Sequence, residues 1–147
     1  MRFLLDMPNY EDIVTAKICP YCGCGTVIVD AKDIYGFDTT IIGKFYRCLL
    51  NHDHYVGTYP GGVPFGRLAD PELRRWKHLG HRKLDELLSL KIFRSQAAEY
   101  LWLSHRMNLD RRYTHFGMFN VEQCRKAIEL LEEQKMTILN NREKAQL

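Results

Sequence analysis

The sequence predicts an α+β protein: a zinc-ribbon-like β unit over residues 1–69, followed by three helices over residues 70–147 that share its core. Three observations lead there. Cys19 and Cys22 form a Cys-x2-Cys pair, and a second pair of donors, Cys48 and His52, follows after 25 intervening residues, the spacing of a metal staple. Short β-branched and aromatic runs, broken by Gly, Pro and Asp, fill the first half. From Asp70 onward apolar residues recur at intervals of three and four, the period of a helix.

Taken in order, Val27-Ile28-Val29, Ile41 through Cys48, and Tyr55 through Tyr59 read as strands. Pro60-Gly61-Gly62-Val63-Pro64-Phe65-Gly66 can neither continue a strand nor begin a helix, and so marks the boundary. Asp70-Pro71-Glu72 then places an N-cap acid, a first-turn proline and a second acid at one helix start. Its apolar stripe is Leu73, Trp76, Gly80, Leu84 and Leu87. A second helix follows Ser95 and runs to about Asn108. Ala97, Tyr100, Leu101, Trp102, Leu103 and Met107 make it apolar on several sides, so it should be the most buried. The third starts at Asn120, where Gln123 completes a capping box, and its stripe is Cys124, Ile128, Leu131 and Ile138. Glu129, Glu132 and Glu133 lie outside that stripe.

A chain of 147 residues with 46% apolar and 12% aromatic side chains has enough material for a packed core. No apolar run approaches the roughly 18–20 residues that cross a bilayer, so no membrane association is expected. Met1-Arg2-Phe3-Leu4-Leu5-Asp6 meets an acid too early for a signal peptide. A cytoplasmic location follows, where thiols stay reduced and clustered cysteines signal metal rather than disulfides. The odd count of five cysteines agrees. No Walker loop, dinucleotide fingerprint or nucleophile elbow is present in the sequence, and no organic cofactor is expected.

One structural zinc ion is therefore the expected cofactor, held by Cys19, Cys22, Cys48 and His52. In Cys19-Pro20-Tyr21-Cys22-Gly23 the proline stiffens a tight turn, and the glycine supplies the positive φ that lets backbone N–H groups reach the thiolates. His54 and Cys24 are the alternatives to His52 as fourth ligand. Four protein donors leave no position for water, the signature of a structural rather than a catalytic ion. The metal also answers an energetic need, because a β unit of about fifty residues buries too little apolar surface to fold alone.

Four short motifs occur in order: Cys19-Pro20-Tyr21-Cys22-Gly23, the stretch Cys48 to Gly57, Pro64-Phe65-Gly66-Arg67-Leu68-Ala69-Asp70, and His115-Phe116-Gly117-Met118-Phe119. Together they resemble a small zinc-finger-containing domain of unknown function found in phages, prophages and other mobile elements. The likeness spans roughly residues 17–131. It implies a zinc site and a phage-like setting, hence a host cytoplasm, and no known activity. The family resembled has a cysteine where this chain has His52, and tends to a histidine where this chain has Tyr59.

Charge adds a partner class. Residues 1–73 carry six basic and nine acidic side chains (−3), residues 74–112 ten against four (+6), and residues 113–147 five against five. On the first long helix Arg74, Arg75, Lys77, His78, His81 and Arg82 fall within an arc of about 160° at 100° per residue, away from the apolar stripe. Such a face meets phosphates, and Arg111 and Arg112 would extend it. The expected function is a non-catalytic nucleic-acid-binding module. A protein-interaction factor acting on a host protein is the second reading. A metal-dependent nuclease drawing on His81 or His115 is the third.

Overall fold

The computed structural model describes residues 9–37 and 43–146. They form two compact units that part between Arg74 and Arg75.

In the first unit a short helix α1 (Tyr10–Val14) precedes three strands and a second short helix. Strands β1 (Thr26–Asp30), β2 (Lys44–Cys48) and β3 (Tyr55–Gly57) make one antiparallel sheet in the order β1-β2-β3. Thr26 pairs with Cys48, Ile28 with Tyr46, and Tyr46 with Val56. Ile41 and Ile42, expected at the start of the second strand, lie outside the described residues. Helix α2 (Ala31–Tyr35) follows β1 directly. Asp30 and Asp33 close a reciprocal capping box at its start, and Gly36 ends it at φ 77°, a left-handed value that suits glycine.

The glycine-rich stretch after β3 does not simply leave the sheet. Tyr59 N–H donates to the Val63 carbonyl at 2.8 Å and Phe65 N–H to the Gly57 carbonyl at 3.0 Å. The chain thus doubles back along β3, and Tyr55 and Ala69 exchange both backbone hydrogen bonds. The backbone polar groups of this irregular stretch are satisfied by the strand edge it covers. A small core of Ala16, Cys19, Cys48, Val56 and Leu68 forms under the sheet, with Cys24 and Tyr46 packed against it.

Three long helices follow, as the apolar period predicts: α3 (Pro71–Ser89), α4 (Gln96–Met107) and α5 (Val121–Ala145). Their caps are the expected residues. Leu73 N–H donates to the Asp70 carboxylate at 2.8 Å and Ala98 N–H to the Ser95 hydroxyl at 3.1 Å. Asn120 and Gln123 bond reciprocally at 2.8 and 2.9 Å. A single 3-10 turn, Arg111–Tyr113, joins α4 to the loop before α5.

Within the helical unit Leu84, Leu87, Leu103, Met107, Phe116, Phe119, Cys124 and Leu131 are buried. The stripe prediction holds for Cys124 and Leu131, whereas Leu101 on α4 is half exposed. Gly80 allows a close approach: a Cβ there would sit 2.2 Å from the Phe116 ring. Charged pairs flank this core. Lys83 on α3 bonds Glu132 on α5 at 2.5 Å, and Lys135 on α5 reaches Glu86 on α3 at 3.4 Å. Glu132, left off the apolar stripe, is thereby a partner of α3.

Candidate metal centre and basic surface

Two turns build the metal centre, one from each end of the first unit's core. In the first, Gly23 adopts φ 74° and its N–H closes on the Cys19 carbonyl at 2.9 Å. This is the left-handed turn expected of Cys-x2-Cys-Gly. In the second, the chain leaving β2 wraps the Cys48 sulfur, which accepts the N–H groups of Leu50 and Asn51, both at 3.3 Å. The second turn thus points backbone dipoles at a sulfur and stabilises its thiolate.

Cys19, Cys22, Cys48 and His54 bring one donor atom each within 4.8 Å of one another. His54 Nδ1 stands 3.5 Å from the Cys19 sulfur and 3.7 Å from that of Cys22. Those separations suit the edges of a tetrahedron with zinc–sulfur bonds of about 2.3 Å and zinc–nitrogen bonds of about 2.0 Å. The donor set fits one zinc ion, which when bound cross-links the two turns. The donors brought together are Cys19, Cys22 and Cys48 with His54, the alternative fourth ligand, while His52 is not among them.

The reason His54 rather than His52 joins the cluster lies in the hairpin between β2 and β3. Asn51 caps its turn, accepting Asp53 N–H on its side chain at 2.9 Å and His54 N–H on its carbonyl at 3.1 Å. Cys48 N–H then donates to the His54 carbonyl at 2.9 Å, so His54 sits across the hairpin from Cys48. His52 occupies the exposed corner of the turn. Cys-x3-His suits ligands one helical turn apart, but here a hairpin presents them. The turn-forming run Asn51-His52-Asp53 directly before a strand is the signal that favours His54.

Neighbouring groups brace the site. The Tyr21 ring tilts against the His54 ring at 4.5 Å between centroids, and its hydroxyl accepts Asp70 N–H at 3.2 Å. Burial pushes that phenol up to about 12. Arg74 donates to the Asp53 carboxylate at 2.6 Å, to the Asp53 carbonyl at 2.8 Å and to the Ala69 carbonyl at 2.7 Å. Its guanidinium also lies 4.2 Å from the Tyr55 ring centre. Cys24, the remaining alternative ligand, has its sulfur 3.4 Å from that of Cys48.

The thiols differ sharply. Burial pushes Cys48 up, but the Asn51 and Leu50 N–H groups and the Cys24 and Cys19 thiols outweigh it and bring Cys48 down to about 6. Desolvation first, then the sulfurs of Cys48 and Cys19, push Cys22 up to about 12. Zinc, when bound by thiolates, displaces the protons of the thiols that hold it.

The expected basic face divides. Arg74 belongs to the bracing network just described and is not displayed for a ligand. Arg75, His78, His81 and Arg82 are exposed on α3, and Lys77 is half-buried. Arg111 donates to the Thr114 carbonyl at 3.3 Å and lies 5.4 Å from the Tyr100 ring centre. Arg112 pairs with Asp110 at 3.3 Å. His115, half-buried, is brought down to about 4 by burial and by the positive field of Arg111, Lys77 and His81. Cationic groups from α3 and from the 3-10 turn thus converge on one neighbourhood.

One buried acid escaped the sequence reading. Glu99 is fully buried near the start of α4, with no hydrogen-bond partner for either carboxylate oxygen among the described residues. Burial, then the charge of Asp85, raise it to about 8. Desolvation of the ring beside Phe116 lowers the His81 imidazole, although the residue as a whole is exposed, and the charge of Asp85 works against it.

A family model for a zinc-finger-containing domain matches residues 15–134. No curated protein and no solved structure matches the chain. Among the described residues no helix is long and apolar enough to cross a membrane.

Proposed function

This chain belongs to the family of that zinc-finger-containing domain, and we propose from that premise that it is a non-catalytic, zinc-stabilised nucleic-acid-binding module. The observation that carries the reading is the placement of Lys77 and Arg111 about His115, beside the exposed Arg75 and Arg82. Positive charge drawn from two elements onto one face is what a phosphate backbone needs, whereas scattered surface lysines would serve solubility alone. Arg75, Lys77, Arg82, Arg111 and Arg112 are the phosphate contacts in this reading. Arg74 is removed from the set, because its donors are spent on Asp53 and Ala69. The zinc centre contributes a folded first unit and takes no part in the contact.

The test is fluorescence anisotropy of zinc-loaded protein against labelled single- and double-stranded DNA and RNA. Binding should weaken steeply between low and physiological salt, and reversing Arg75, Arg82 and Arg111 to Glu should abolish it. Affinity unchanged by that triple reversal sinks the proposal.

A second reading has its own support. Ile28, Phe37, Leu50 and Val63 on the first unit are each more than half exposed, and exposed apolar side chains in such number favour a protein surface. A protein-interaction factor acting on a host protein would bind through these residues. Its complex would survive the charge reversals and fail on Leu50→Asp or Val63→Asp.

A further inference from the structure

A fourth cysteine stands beside the metal centre, outside its set of four donors. Cys24 places its sulfur 3.4 Å from that of Cys48, a separation as short as those joining His54 Nδ1 to Cys19 and Cys22. The backbone holds it there from both sides. The Cys24 carbonyl accepts Cys19 N–H at 2.9 Å, and the next carbonyl, that of Gly25, accepts Leu49 N–H at 3.3 Å. Cys24 is thus fixed between the two ligand turns, half-buried against the core that contains Cys19 and Cys48. A tetrahedral zinc ion takes four donors, so a fifth in this position can replace one but not add to the set.

We propose that Cys24 is a reserve zinc ligand, which takes the coordination position of His54 when the imidazole leaves. One centre then exists in two forms, with three thiolates and an imidazole or with four thiolates. His54 is the donor that exchanges. It is the one neutral ligand, and thiolates are the softer and stronger donors for zinc. It also rides on the three-residue turn 51–53, whereas Cys19 and Cys48 are buried. In the exchange the Nδ1–zinc bond breaks, a sulfur–zinc bond forms, and the Cys24 thiol gives its proton to water. No electron is transferred. While His54 is bound, Cys24 contacts the Cys48 sulfur, a supporting role outside the coordination sphere.

The test replaces zinc by cobalt(II) in the full chain and reads the sulfur-to-cobalt charge-transfer band, whose intensity follows the number of bound thiolates. Cys24→Ser should match the native protein, at three thiolates. His54→Ala should still bind one ion per chain, with the band increased by about one-third as a fourth thiolate enters. The double variant should lose stoichiometric binding at cobalt concentrations that saturate either single variant. A three-thiolate band in His54→Ala overturns the proposal. So does a weakened band in Cys24→Ser, which would make Cys24 a resident ligand. Should His54→Ala fail to fold, zinc release to a chelator supplies the answer without touching His54. Faster release from Cys24→Ser than from native protein supports the reserve role, and equal rates overturn it.

Discussion

The guanidinium of Arg74 closes on the carboxylate of Asp53 at 2.6 Å, and Asp53 immediately precedes the zinc donor His54. A charged side chain from the first turn of α3 therefore holds the hairpin that presents a ligand. Arg74→Ala removes this ion pair, two carbonyl bonds and the stacking on Tyr55. The pair is partly exposed, so its worth is modest, and a loss of about 1–2 kcal/mol is expected for the group. Thermal denaturation should show it. Nucleic-acid affinity should change far less than in Arg75→Glu, which separates a bracing arginine from a contacting one.

Cys48→Ser should cost the first unit its fold. The residue is a ligand, it is buried, and it collects two backbone N–H groups that a serine hydroxyl cannot use to bind zinc. Metal analysis should find no stoichiometric zinc, and circular dichroism should show lost strand signal with helical signal retained. A chelator added to the native protein should reproduce that spectrum. Native stability in a zinc-free Cys48→Ser variant would show that the ion is not structural.

Gly80→Ala opposes two effects of known sign. Helix propensity favours alanine by about 1 kcal/mol. The new methyl, however, would lie 2.2 Å from the Phe116 ring, and overpacking of this kind costs about 1–3 kcal/mol or more. Because Phe116 is fully buried, the ring has little room to yield. The steric term should win, with a lowered denaturation midpoint in urea.

Glu99 makes a prediction about pH. Its folded value, near 8, exceeds the ordinary 4.5, so the folded state holds a proton that the unfolded state releases. The stability this gives is fully present below 4.5 and is lost as pH rises toward 8. His115 acts in the opposite sense. Its folded value near 4, against an ordinary 6.5, removes stability as pH falls from 6.5 to 4. The two oppose each other below 6.5, and the Glu99 effect stands clear of it from there to 8. In that window Glu99 should lower stability by up to about 1.4 kcal/mol per pH unit, read as the difference between native protein and Glu99→Gln because the lowered Cys48 thiol works the other way. Glu99→Gln should flatten the slope in a denaturant series and raise stability at pH 8.

The elements legible in the sequence are those with local signals. Ser95, Asp70 and the Asn120–Gln123 box announce their helices because capping is a contact over three residues, and all three caps form. The Cys19–Cys22 turn is legible for the same reason. Helix α2 carried such a signal too, in Asp30, Asp33 and Gly36, but five residues are too few to show an apolar period. His54 stood only as an alternative to His52 because ligand choice depends on which residue faces Cys48 across a hairpin, a pairing that spacing alone does not reveal. Glu99 was hidden because a carboxylate normally predicts surface. Its burial is set by how α4 packs in the helical unit, which no local pattern around residue 99 encodes.

The reach of the metal along the chain has a final consequence. Zinc bound to Cys22 and Cys48 closes a loop of 25 intervening residues, in which β1, α2 and β2 are embedded. Closing a longer loop costs only about 0.6 kcal/mol per doubling of length. Residues added after Gly36 should therefore be tolerated, provided the Asp30–Lys44 end of the strand pairing is kept in register. A peptide tag or a small guest domain inserted after Gly36 should leave zinc stoichiometry unchanged. The same insertion between Asn51 and His54 would part the ligands and empty the centre.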